Sequence, residues 1–114
     1  MNSQSHVVSE NDVLARFGRA LANPLSCHVL LELGEAPAYP ADLAEVLGVS
    51  TTRLSDHLAC LRDCGLIVTA SEGRQVRYEL ADRRLGYALD ALRSAVVTVS
   101  THRTCPDALE KGCC

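Results

Sequence analysis

The sequence predicts a mainly α-helical domain with one small β-hairpin. Apolar residues recur at helical spacing along most of the chain, and two short helical segments meet at Gly48-Val49-Ser50. A hairpin pattern follows directly after them. Aromatic residues are only 4% of the 114 residues and Trp is absent. The core is therefore expected to consist of Leu, Val and Ala, which favours helices over an all-β sandwich.

Three helices are predicted in the first half of the chain. The first helix covers about residues 11–22, and Asn23-Pro24 interrupts its pattern. Pro24 suits the first turn of a second helix, which runs to about residue 33 before a stop at Gly34. Residues 35–39 are a connector, and a short third helix begins at Pro40. Three apolar side chains are expected on its inner face: Leu43, Val46 and Leu47.

The fourth helix is the one expected to read DNA. Gly48 can adopt the left-handed conformation that ends a helix, and Ser50 can cap the next one. The fourth helix runs from about Thr51 to Cys64, and Gly65 ends it. Two short helices joined by a tight Gly turn form a helix-turn-helix, whose second helix enters the major groove. Its inward side chains are expected to be Leu54, Leu58 and Leu61.

A hairpin and a long helix complete the domain. Residues 66–70 and 75–80 are predicted strands, joined by a loop that contains Gly73. A hairpin after a recognition helix is a wing, so the order α-α-α-α-β-β-α predicts a winged helix-turn-helix. Val76, Tyr78 and Leu80 are expected to pack the wing. From Arg83 a helix carries an apolar seam that predicts a dimer interface: Leu85, Leu89, Leu92, Val96 and Val99.

The domain organisation and the charge limit the class of protein. We predict a disordered tail at residues 1–10, a DNA-binding and dimerisation domain at 11–100, and a Cys-containing tail at 101–114. The net charge of −3 argues against nonspecific coating of nucleic acid but permits a specific reader. No signal peptide pattern or bilayer-spanning apolar stretch occurs. We therefore expect a cytoplasmic protein without a membrane partner.

Polar residues at the start of the fourth helix are candidates for binding DNA. Residues there normally meet base edges, and Arg53 is the best candidate for guanine. Arg74 and Arg77 on the hairpin could bind phosphates or enter the minor groove, and a solvated polar face is the alternative. The predicted DNA-binding residues are Thr51, Thr52, Arg53, Ser55, Asp56, His57, Arg74 and Arg77.

Cys60 and Cys64 stand four residues apart near the end of the fourth helix. Residues at this spacing are neighbours on one helical face, with Cβ atoms about 5–6 Å apart. The pair can supply soft metal ligands or act as small buried hydrophobes, and the spacing alone favours neither. The six cysteines of a cytosolic chain indicate metal or redox chemistry rather than a disulfide framework.

Four motifs in order resemble the ArsR/SmtB family of dimeric winged-helix metal-sensing repressors. They are Ala-Leu-Ala-Asn-Pro at residues 20–24, Leu-Ala-Glu-Val-Leu-Gly-Val-Ser at 43–50, Leu-Ser-Asp-His-Leu at 54–58 and Gly-Arg-Gln-Val-Arg-Tyr at 73–78. The resemblance covers most of the chain and implies a homodimer that binds operator double-stranded DNA. The pattern is most similar to cadmium- and lead-sensing members, which carry a Cys-x-x-x-Cys pair on the recognition helix and a third Cys in the C-terminal tail.

This resemblance implies a metal site formed by Cys60, Cys64 and Cys105, with cadmium or lead as the inducing ion. Arsenite, mercury and zinc can use the same thiolates and remain alternatives. Whether Cys105 acts within its own chain or across the dimer stays open. Cys113 and Cys114 could add ligands or form an incidental terminus.

Other family sites and other functions are less well supported. Residues 41–45 lack a Cys-x-Cys motif and residues 90–92 lack the His of an Asp-x-His motif, while Cys27 is interpreted as a core residue. A redox-responsive repressor that forms a disulfide between neighbouring thiols is the second hypothesis. A thiol enzyme is disfavoured, because no Cys has a recognisable His and acid partner. The sequence thus predicts a non-enzymatic repressor that binds its operator when metal-free and is released by the ion.

Overall fold

The computed structural model describes residues 9–102, with side chains described as far as Val99. It confirms the predicted order of elements and the mainly helical fold with a hairpin. Most residues of the two predicted tails, including Cys105, Cys113 and Cys114, lie outside the described residues. None of the helices described is long and apolar enough to cross a membrane. The elements are α1 Glu10–Ala22, α2 Pro24–Glu35, α3 Pro40–Leu47, α4 Thr51–Asp63, β1 Ile67–Glu72, β2 Gln75–Leu80 and α5 Arg83–His102.

Local signals set the start of each helix in the DNA-reading half. The side chain of Asn23 accepts hydrogen bonds from the backbone N–H groups of Leu25 and Ser26, at 3.0 and 3.1 Å, and so caps α2. Gly48 has a φ of 69° and ends α3 in the left-handed conformation. Ser50 Oγ then accepts from the Arg53 N–H at 3.1 Å. The turn between α3 and α4 is therefore encoded as the sequence predicted.

The core lies between α2, α4 and the base of the hairpin. Its fully buried side chains are Val29, Leu30, Leu54, Leu58, Leu61 and Ile67. The three leucines of α4 confirm its predicted inner face and leave the opposite face in solvent. The prediction for Val46 on α3 is wrong, because this side chain is 61% exposed. Leu43 is buried and Leu47 packs against the core as predicted, and Ala44 rather than Val46 completes the inner face of α3.

The wing is an antiparallel pair in which Ile67 lies opposite Leu80 and Glu72 opposite Gln75. The connector after α2 adds a bridge that the sequence did not predict. Ala38 exchanges two backbone hydrogen bonds with Tyr78, at 2.9 and 2.8 Å. Tyr78 and Leu80 pack against the core as predicted. Val76 does not, because it lies near the turn and is 40% exposed.

Helix α5 packs against α2 through two glycines. A Cβ atom on Gly86 would lie 3.4 Å from the carbonyl oxygen of Gly34, so the two backbones approach closely. Leu89, assigned above to the dimer interface, is already buried in the core of one chain. Leu85 is half-buried. The other three seam residues, Leu92, Val96 and Val99, are 47%, 52% and 60% exposed and remain candidates for an interface.

Candidate metal and DNA-binding site

The two thiols of the predicted metal site lie together at the end of α4. Cys64 is the C-cap residue, and its N–H donates to the carbonyl of Cys60 at 3.0 Å. Both cysteines are free thiols, with Cys60 exposed and Cys64 half-buried. Desolvation, the charge of Cys64 and a side-chain hydrogen bond with it raise the pKa of the Cys60 thiol. The thiols are therefore neighbours, and Cys60 stays protonated at neutral pH until a ligand displaces its proton.

Both thiols line an open cavity of about 460 Å³ between α1, α2 and α4. The wall from α1 includes Arg16 and Arg19, and that from α2 includes Ser26. Cys27, although also on α2, is half-buried and does not line this cavity. An ion bound by the pair would thus contact the end of α4 at its junction with two other helices.

The described residues bring together two of the three predicted metal ligands, Cys60 and Cys64. Among the side chains described, at residues 9–99, no group of three or more His, Cys, Asp or Glu is arranged to hold a metal ion. Cys60 and Cys64 fit a thiophilic ion by the chemistry of their donors. The predicted third ligand, Cys105, lies outside the described residues.

The DNA-reading candidates on α4 divide into two groups. Five are exposed at the start of the helix: Thr51, Thr52, Arg53, Ser55 and Asp56. His57 is half-buried, and its Nδ1 lies 3.0 Å from the Oγ of Ser26. The His57 ring therefore faces α2 and the thiol cavity rather than the exposed side of α4. This contact links α4 to α2, and the role of His57 in DNA binding stays a prediction.

The two arginines of the wing also differ. Arg74 lies exposed in the turn. Arg77 is half-buried on β2, and its Nη1 lies 2.9 Å from the Oε2 of Glu72. The hydroxyl of Tyr39 donates to the other carboxylate oxygen of Glu72. Arg74 is thus available to a phosphate, whereas Arg77 is paired with Glu72 at the surface of the hairpin.

Residues 23–69, which contain α2, the helix-turn-helix and the start of the wing, match the family model described as bacterial regulatory protein, arsR family. The chain is also 50% identical over 92 residues to the HTH-type transcriptional regulator CmtR of Mycobacterium tuberculosis, covering 81% of this chain and 78% of that protein. The chain belongs to the arsR family. This confirms the family resemblance and the prediction of a regulator rather than an enzyme.

Solved structures support the same fold for this arsR-family chain. The NMR structure of the cadmium metal-sensor CmtR from Mycobacterium tuberculosis aligns with a TM-score of 0.61 and 52% identity, covering 68% of this chain and 81% of that one. A homodimeric winged helix-turn-helix DNA-binding domain from Mycobacterium bovis aligns with a TM-score of 0.73 and 24% identity, covering 82% and 87%. The winged helix-turn-helix prediction is thereby confirmed.

A relative with another printed specificity also matches. The probable mercury resistance operon repressor of Streptomyces lividans is 38% identical over 74 residues, covering 65% of this chain and 59% of that protein. Relatives of this chain thus include proteins named for different thiophilic ions.

Sequence reasoning missed three contacts around the site. It did not find the bond between Ser26 and His57, the tie from Tyr39 through Glu72 to Arg77, or the cavity wall formed by α1. Ser26 and His57 are 31 positions apart, and Tyr39 and Glu72 are 33 apart. Glu72 and Arg77 are only five positions apart, but they lie on different strands. The alternation of β2 could have placed Arg77 and Glu72 on one face of the hairpin, but only once the register was known.

Proposed function

We propose that this protein is a homodimeric repressor that binds operator DNA when metal-free and is released by a thiophilic ion, cadmium or lead. The observation that carries the proposal is the position of Cys60 and Cys64. Cys60 lies on, and Cys64 caps, the same helix that presents Thr51 and Arg53 to solvent. One rigid element therefore bears both a soft ligand pair and a DNA-reading end.

The proposed metal ligands are Cys60, Cys64 and Cys105. These three thiolates would hold the ion, which would then join the C-terminal tail to the end of α4. Because the thiols also line the junction with α1 and α2, that connection acts where α4 is held in place. An ion that binds the DNA-incompetent arrangement better must weaken DNA binding by the same factor. Such coupling is typically about 5- to 150-fold.

The homodimer would form through the exposed part of α5. Leu92, Val96 and Val99 leave an apolar strip on this helix in the single chain, and a two-fold operator requires a two-fold protein. The dimer would then present two copies of the exposed start of α4 to two half-sites.

The names of two relatives bear on which ion is sensed. CmtR is described as a cadmium metal-sensor, and its identity to this chain exceeds that of the mercury resistance repressor. Cadmium or lead is therefore the first choice, with mercury, arsenite and zinc as alternatives that the same thiolates could bind.

The proposal is tested by titrating Cd(II) and Pb(II) into a complex of the reduced protein with a duplex selected by the metal-free protein from a random pool. Fluorescence anisotropy should report release of the DNA, while ultraviolet charge-transfer bands report thiolate coordination. Operator binding that persists while the charge-transfer bands saturate would contradict the proposed switch. Parallel titrations with Hg(II), arsenite and Zn(II) rank the ions.

The second candidate function is a redox-responsive repressor of the same fold. It is favoured by the spacing of the free thiols of Cys60 and Cys64, which stand one helical turn apart at the end of α4. An oxidant such as peroxide would take two electrons and the thiol protons as a disulfide forms. Thiol counting and anisotropy before and after peroxide, in metal-free buffer, would distinguish the two signals.

A further inference from the structure

The half of the wing nearest its turn carries three connected polar side chains that the proposed function does not use. Tyr39 donates its hydroxyl proton to Glu72, and Glu72 pairs with Arg77 at 2.9 Å. Glu72 is the last residue of β1, Arg77 lies within β2, and Tyr39 directly precedes α3. These three side chains therefore connect the start of the first helix of the helix-turn-helix with both strands of the hairpin.

The backbone places these side chains on one face. Ala38 bridges Tyr78 in an antiparallel sense, so the next pair in that register would be Tyr39 opposite Arg77. Glu72 lies opposite Gln75, which makes Arg77 its diagonal neighbour on the same face of the hairpin. Tyr39 also stands before Pro40, which restricts its backbone to extended conformations such as the observed φ of −90° and ψ of 151°. The backbone that carries the Tyr39 side chain is thus restricted.

The guanidinium of Arg77 is committed to this arrangement. Its Nη1 binds Glu72, and its Nε is buried without a hydrogen-bond partner among the described residues. In this side-chain conformation the buried nitrogen is not accessible to a phosphate. Arg74, in contrast, lies exposed at the turn, where the hairpin extends farthest from the core.

We propose that Tyr39, Glu72 and Arg77 are positioning residues that set the angle of the wing, and that Arg74 is the wing residue that contacts phosphate. This inference rests on the proposed DNA-binding function and replaces the sequence-based prediction that Arg77 contacts DNA. Isolated two-stranded hairpins are marginally stable, so a wing that reaches DNA needs side-chain contacts of this kind with the helical part of the domain.

The salt dependence of DNA binding separates a positioning residue from a phosphate contact. The logarithm of the DNA-binding constant falls with the logarithm of the salt concentration, and each lost phosphate contact makes this negative slope shallower by about 0.9. In a homodimer Arg74→Gln removes two contacts, so the slope should become shallower by about 1.8. Arg77→Gln and Tyr39→Phe should lower affinity by about threefold to tenfold with the wild-type slope retained, because they remove a hydrogen bond within the protein.

Glu72→Gln gives a second, opposite test. If Glu72 only occupies Arg77, the variant frees a cation and removes a negative charge, so affinity should rise and the slope should become steeper. If Glu72 positions the wing, affinity should fall despite the more favourable charge. Glu79→Gln is the matched control, since it makes the same change in charge on the same face of the hairpin without a role in the tie.

These outcomes are distinguishable from failure of the proposed function. Wild-type protein that binds no selected duplex would sink the function itself, whereas the wing inference fails if wild-type binds and Arg77→Gln makes the slope shallower as Arg74→Gln does. It also fails if Tyr39→Phe and Arg77→Gln bind like wild type. Amide NMR spectra show whether each variant stays folded, and Tyr39→Phe, the mildest change, should still shift the amide signals of the turn.

Discussion

The two ends of α4 differ in what holds them and in what they offer. The start of the helix is fixed by the Ser50 cap and carries exposed polar side chains such as Arg53. The end carries Cys60 and Cys64 against a cavity shared with α1 and α2. Between them Leu54, Leu58 and Leu61 are buried in the core. A helix of 13 residues, about 20 Å long, therefore separates reading from sensing while remaining one rigid body.

The largest effect is expected from removing one thiol at the sensing end. Cys60→Ser or Cys64→Ser should lower Cd(II) affinity by more than about 100-fold, because even an outer-shell partner of a metal commonly contributes 10- to 100-fold. Metal-free operator binding should stay near wild type, since neither change reaches the start of α4. Charge-transfer titration and anisotropy measure the two properties separately.

Cys27→Ser is the matched control for these variants. It makes the same chemical change on α2, away from the cavity that the other thiols line. Loss of the charge-transfer band in Cys27→Ser would contradict the assignment of the site to α4.

The next effect concerns pH at the same end. The pKa of Cys60 is raised by desolvation and by Cys64, so the thiol is protonated around neutral pH and must lose its proton to bind metal. Affinity should therefore increase with pH, by up to about tenfold per unit for each thiol that releases a proton. Chelator competition between about pH 6 and about pH 8 measures this slope. A flat profile would show that the ligands are not protonated thiols.

At the reading end, Arg53→Ala should lower operator affinity by about 1–3 kcal/mol, the range for a good base contact. Cd(II) affinity should not change, since Arg53 lies outside the thiol cavity. The cysteine variants should thus change metal affinity alone, and Arg53→Ala should change operator affinity alone. The comparison breaks down if Arg53→Ala alters the charge-transfer titration.

The smallest effect is expected at the contact between Ser26 on α2 and His57, which lies between the two ends of α4. Ser26→Ala removes the partner of His57 and should lower the free energy of unfolding by about 1 kcal/mol. If this contact helps to hold α4 against α2, the variant should also reduce the metal-induced change in operator affinity. Urea unfolding gives the first quantity and paired DNA titrations give the second. A variant with normal stability and normal coupling would remove His57 from the link.

Local patterns were sufficient to predict the order of elements. Pro24, Gly48 and Ser50 each act within a turn of their own position, so their effect is encoded in neighbouring residues. The pair at Cys60 and Cys64 was equally predictable, because helical spacing fixes which residues are neighbours.

Contacts between distant segments were not predictable in this way. The inward direction of His57 depends on Ser26, 31 positions away, and the engagement of Arg77 depends on the register of the hairpin. Leu89 shows the same limit. Its spacing fits the seam of a helix pair, but that pattern does not say whether the partner helix belongs to the same chain or to a second one.

The close approach of Gly34 and Gly86 has a consequence for the operator. A Cβ at Gly86 would lie 3.4 Å from the carbonyl oxygen of Gly34, and one at Gly34 would lie 3.6 Å from the Cα of Gly86, so the backbones of α2 and α5 lie almost in contact at these two residues. In a dimer built on α5, the separation of the two reading helices would follow from that contact. The half-site spacing that the dimer can bind, about 34–36 Å for one turn of DNA, would then depend on two residues that have no side chain and do not contact the duplex.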